Sequence, residues 1–141
     1  TPAHEKTRGQ VQRVEQDFTL GRHLTLNTDI TRIHPQAQWS DAVVHNGTAY
    51  FVEVPDSGTD LASQTQALLA QAERTMALCG TDKRHILLAT SYLKNMGDRA
   101  AFNALWQAWL PDGCAPARAC VSAELASPDY LLEIVFTVAV Q

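Results

Sequence analysis

The sequence predicts one α+β domain in which two helices cover one face of a mixed sheet. Three observations carry that expectation. Short stretches alternate apolar and polar residues with the period of a strand. Two longer stretches carry apolar residues at helical spacing. Their order along the chain is β-β-β-α-β-α-β-β, which packs most simply as two layers. A chain of 141 residues is long enough to bury a core and fits a single domain.

The elements follow in order. Residues 1–28 are polar and weakly patterned; "HEKTRGQVQRVEQDF" predicts at most a short helix, and the segment reads as an N-terminal extension to a domain spanning 29–141. "ITRIHP" alternates and predicts a strand. "SDAVVHNGTAYFVEVP" holds two strand-like runs around Asn46-Gly47, a strong hairpin signal. From Leu61, apolar residues at 61, 68, 69, 72, 76 and 79 fall on one helical face, with Asp60 placed to cap the start and Gly80 the end. "HILLATSYL" predicts a strand. "GDRAAFNALWQAWLPDG" predicts a second helix, with Phe102, Leu105, Trp106, Trp109 and Leu110 forming its stripe. Two strands close the chain, Arg118 to Leu125 and Leu131 to Val140, expected to pair with each other through "ASPDY". In the last strand Leu132, Ile134, Phe136 and Val138 share one face, and Glu133, Val135 and Thr137 the other. In the strand before it, Ala119, Val121, Ala123 and Leu125 are expected to face the helices, with Arg118, Cys120, Ser122 and Glu124 on a mixed outer face that a partner subunit would cover.

Composition narrows the function. The net charge is −4, so there is no overall cationic field to favour nucleic acid or an anionic membrane as a partner. No apolar run approaches the roughly 18 residues of a membrane span, and the opening residues hold no apolar core of a signal peptide. Three cysteines, Cys79, Cys114 and Cys120, lack pair spacing and fit a reducing, cytoplasmic setting. Neither they nor the five scattered histidines form a metal-ligand pattern. No cofactor is expected, since no Gly-rich phosphate loop is present.

Arg118 opens a run that otherwise reads as core strand. A guanidinium is always charged and is costly to bury without an anion. Three readings stay open: it reaches water, it pairs with a carboxylate such as Glu133, or it receives an anionic ligand.

"PARACVSAELASPDYLLEIVFTVAV" resembles the C-terminal signature of the Rid (YjgF) family, roughly P-x-R-x-x-V…L…V-E-I. Glu133 follows Arg118 by fifteen positions (133 − 118), the family spacing. The resemblance extends upstream through "QWSDAVVHNGTAYFVEVP" and the two helical stretches, and is nearest the YoaB-like branch. It implies a chorismate-mutase-like fold, a homotrimer with sites between subunits, and hydrolysis of reactive enamine and imine intermediates, such as 2-aminoacrylate and its imine, to 2-keto acids and ammonia. By the same resemblance Arg118 grips the substrate carboxylate, the Cys120 backbone N–H adds a hydrogen bond, and Glu133 positions water. Asn103 stands at the family's helix asparagine, and Trp39 where many members carry a tyrosine. The chain departs from the family's Ser-Gly-Gln stretch at about Val52, Glu53 and Val54, where a hydroxyl is lost and a carboxylate gained. That departure motivates an alternative: a non-catalytic trimer that binds small carboxylates as a sensor or interaction module.

Overall fold

A computed structural model describes the backbone of residues 13–17 and 23–27 and all of residues 29–141. Arg13–Asp17 (β1) and His23–Asn27 (β2) pair antiparallel as a separate two-stranded sheet. The short helix expected in this region is therefore replaced, over 13–17, by strand.

The body is a six-stranded sheet built from Ile30–Ile33 (β3), Ala42–His45 (β4), Thr48–Glu53 (β5), Ile86–Leu93 (β6), Ala117–Ser122 (β7) and Leu132–Ala139 (β8), in the order β3-β4-β5-β8-β6-β7. Only β6 and β7 run parallel. The helices are Leu61–Leu78 (α1) and Arg99–Trp109 (α2). The β4–β5 connection turns tightly: Asn46 and Gly47 take φ of 50° and 72°, the left-handed pair that a two-residue hairpin turn needs. Helix α1 starts at a capping box, with Asp60 Oδ1 accepting from Ser63 N at 2.8 Å and Ser63 Oγ accepting from Asp60 N at 3.2 Å. It ends on Gly80 at φ 80°, with Gly80 N donating to Ala77 O and Thr81 N to Met76 O, which satisfies the orphan carbonyls of the last turn.

Between sheet and helices lies the core. Phe51, Phe136, Leu68, Met76, Ala89, Phe102, Trp106 and Ile134 are all buried there, and Phe51 stacks on Phe136 with ring centroids 4.9 Å apart. The other sheet face carries exposed Tyr50, Val52, Leu88 and Val121. Both helices thus cover one face, as the pattern predicts.

Two expectations are corrected. β7 and β8 do not pair; β6 lies between them. A strand that follows a helix can return parallel to β6, and the connection through "ASPDY" then crosses over β6 to reach β8. The faces of β7 are also reversed. Arg118 is in register with Ala89, and Ala89 with Phe136, so Arg118 and Cys120 face the helices while Ala119 and Val121 face outward. Polarity misled the alternation because β7 is an edge strand. There the helix layer thins, and a long side chain can stay half-buried with its head at the rim.

Candidate functional site

Arg118 stands on the helix side of β7, half-buried. Its Nη1 donates to Asn103 Oδ1 at 2.7 Å, and its guanidinium lies over the Phe102 ring, 6.0 Å from the centroid. Asn103 reaches it because Phe102 and Trp106 lock the buried side of α2, which turns position 103 towards the sheet edge. A cleft of about 420 Å³ opens beside this pair, walled by Trp106, Pro116 and the "PDGCAP" loop. Among the described residues no carboxylate forms an ion pair with Arg118. One neutral bond leaves most of the five guanidinium donors for a ligand.

Cys120 is a free, half-buried cysteine packed against the core. Ala123 N donates to Leu93 O, and Leu93 is paired with Ser122. The alternation of a parallel ladder then points the odd-numbered N–H groups of β7 towards β6 and the even-numbered ones, Cys120 among them, away from the sheet.

Glu133 is elsewhere. It pairs with Tyr92, which pairs with Val121, so it occupies the outer face, not a position opposite Ser122. Two strand spacings of about 4.8 Å and three residues of about 3.3 Å separate its Cα from that of Arg118 by roughly 14 Å, with the sheet between the side chains. The intrachain Arg118–Glu133 salt bridge left open by the sequence is excluded by this geometry.

Trp39 and Glu53 line a second, larger cleft of about 810 Å³ where β5 leaves the sheet. Trp39 is 62% exposed, whereas Glu53 is half-buried. Thr75 Oγ1 donates to Glu53 Oε2 at 2.7 Å and Gln71 Nε2 to Oε1 at 3.5 Å. Burial raises the Glu53 pKa above 4.5, more than these hydrogen bonds and the Arg74 charge lower it; the nearby Asp41 charge raises it further. The sequence reading missed Thr75 and Gln71. They sit on the inner stripe of α1, four residues apart, so polar interruptions of an apolar stripe were the available signal.

The structure thus gathers Arg118, Asn103 and the Cys120 N–H at one sheet edge and sets Trp39 and Glu53 at another end, with Glu133 on the outer face. The cleft beside Arg118, about 420 Å³, falls within the ordinary volume range of small-molecule pockets. The family described as Endoribonuclease L-PSP matches residues 29–140, and the chain belongs to that family, the YjgF/Rid family of the resemblance above. It is 42% identical to a RutC family protein of Haemophilus ducreyi over 113 residues, covering 79% of this chain and 97% of the relative. It is also 42% identical to the RutC family protein YoaB of Escherichia coli over 112 residues, covering 79% and 98%. Among solved structures, NMB1025 of Neisseria meningitidis, a member of the YjgF protein family, superposes with a TM-score of 0.79 at 43% identity, covering 81% of this chain and 97% of that one. Yeast YEO7 shares the fold at 14% identity, with a TM-score of 0.73.

Proposed function

We propose that the protein hydrolyses 2-imino acids, and the enamines that tautomerise to them, to 2-keto acids and ammonia, as a homotrimer. One observation carries the reading: a half-buried arginine at a cleft whose protein partner is a neutral amide. Such a fork suits a carboxylate, bound bidentately, and fixes the adjacent carbon in space. The Cys120 N–H offers a further donor. Water adds to the C=N carbon, its two protons end on nitrogen, the C–N bond breaks and ammonia leaves; no electrons are exchanged. Because Glu133 is on the other sheet face of its own chain, a neighbouring copy supplies the carboxylate that takes the proton from that water. The outer face, with Tyr50, Val52, Leu88 and Val121 exposed, is the surface we assign to the subunit contact.

The test is release of 2-keto acid from freshly generated imino acid, with and without the protein. Acceleration that vanishes in Arg118→Ala supports the reading. Saturable 2-ketobutyrate binding without any acceleration would instead favour a carboxylate-binding module. The −4 net charge gives no support to ribonuclease action, in spite of the family's description.

A further inference from the structure

The segment that carries the chain from β7 to β8 decides where Glu133 stands. Leu93, the last residue of β6, pairs with Ser122 at the end of β7 on one side and with Leu132 at the start of β8 on the other. Residues 123–131 therefore wrap around the end of β6, with no helix or strand of their own. Glu133 is the second residue of the strand they launch.

Gln64 grips that segment. It follows the Asp60–Ser63 capping box that fixes the first turn of α1, and it is only 4% exposed. Its Nε2 donates to Asp129 O at 2.8 Å and to Gly58 O at 3.2 Å, and its Oε1 accepts from Leu131 N at 2.8 Å. Two carbonyls and one N–H leave the amide a single orientation that satisfies all three. Lys94, exposed and one residue past β6, adds a second tether. Its Nζ donates to Pro128 O at 2.7 Å and its backbone N–H to Leu131 O at 3.0 Å. Leu131 is thus held by both of its backbone groups, two residues before Glu133.

We propose that Gln64, seconded by Lys94, is a positioning residue for Glu133, acting through the crossover at Asp129 and Leu131. The inference rests on the role given above to Glu133, which takes the proton from the attacking water. A shift of about 1 Å at such a group costs about a hundredfold in rate, so the clamp bears on turnover and not on the Arg118 end of the site.

The experiment compares the full chain with Gln64→Met, which keeps the side-chain length and loses all three bonds, and with Gln64→Glu, which keeps an oxygen for the Leu131 N–H. Below its melting temperature Gln64→Met should lose about tenfold or more in kcat for imine hydrolysis, with KM and 2-ketobutyrate affinity within about twofold of wild type. Gln64→Glu should fall between the two. Refolded in equal amounts with Arg118→Ala, Gln64→Met should recover about a quarter of wild-type activity, because sites then form from one copy's Arg118 and the next copy's intact crossover. Refolded with Glu133→Gln it should recover none. A clamp that serves only the fold would lower the melting temperature and leave kcat and this mixing pattern unmoved. Wild-type kcat in folded Gln64→Met, or recovery on mixing with Glu133→Gln, overturns the proposal. Lys94→Met, at an exposed position, releases the same segment at Pro128; it should lower kcat severalfold and decides the matter if the Gln64 variants fail to fold. A wild-type chain that hydrolyses no imine overturns the function proposed above and this inference with it. An active wild type with unaltered turnover in these variants overturns this inference alone.

Discussion

Arg118 and Glu133, fifteen residues apart in sequence, lie on opposite faces of one sheet: Arg118 is in register with Phe136 through Ala89, and Glu133 stands three residues back along β8 beside Tyr92. An odd separation on a strand reverses the side chain's direction. No rotamer carries either group through the sheet, so the two cannot neutralise each other within one chain.

Arg118→Ala should therefore cost little stability. Breaking a buried ion pair costs about 3–5 kcal/mol because a carboxylate is orphaned, but here the groups that lose a partner are the half-exposed Asn103 amide and the Phe102 ring, and neither is charged. Binding of 2-ketobutyrate should fall by about a hundredfold or more, since two hydrogen bonds to a charged group at about 1.5 kcal/mol each are removed. Arg118→Lys should recover little, because a point charge does not reproduce the fork. Melting temperature and affinity measured on the same variants check this; a collapsed melting temperature with unchanged affinity would make Arg118 scaffold.

Asn103 gives a sharper contrast. Asn103→Ala frees the guanidinium, and 2-ketobutyrate affinity should drop by about tenfold, the order of one hydrogen bond to a charged group. Asn103→Asp places a carboxylate 2.7 Å from the Nη1 donor, and that internal anion competes with the ligand. Its affinity should fall below that of Asn103→Ala while its melting temperature rises. The opposite order of affinities would show that Asn103 does not orient Arg118 for a ligand.

These relationships were only partly legible in the sequence. The hairpin at Asn46-Gly47, both caps of α1 and the inner faces of β8 and α2 follow from local rules, because each is decided by neighbours along the chain. The site follows from something less local. Whether β8 pairs with β7 or beyond it depends on how "ASPDY" crosses the sheet, and that choice put β6 between Glu133 and Arg118. The inward turn of Arg118 depends on β7 being an edge, which alternation does not encode. Asn103 was named by family likeness; its bond to Arg118 required the α2–β7 packing. Glu53 read only as a departure from the family stretch, and the packing of α1 revealed Thr75 and Gln71 against it.

Glu53 should leave a pH signature in stability. Burial holds its folded pKa above the ordinary 4.5, so the folded chain binds the proton more tightly than the unfolded one. Its contribution is fully present below 4.5 and is lost as pH rises through the folded pKa. Glu53→Gln removes that loss. The variant's melting temperature should decline less than the wild type's on moving from just above pH 4.5 to neutrality. Parallel curves for the two proteins across that window would show that the carboxylate is not desolvated in solution.

Subunit mixing tests the shared site directly. Light scattering at micromolar concentration should first give three times the 15.5 kDa chain mass, since the exposed Tyr50, Val52, Leu88 and Val121 face needs a cover. Arg118→Ala and Glu133→Gln should each lose most imine hydrolysis. Unfolded together and refolded in equal amounts, the two variants should form mixed trimers. If each site takes Arg118 from one copy and Glu133 from the next around a cyclic ring, random assembly restores both groups at about a quarter of the sites. Activity should then return to about a quarter of the wild-type value. If Glu133 acted on a substrate held by its own chain's Arg118, no mixed site would carry both groups, and the mixture would show only the sum of the two residual activities. A chain that stays monomeric at these concentrations would overturn the shared site before any kinetics are run.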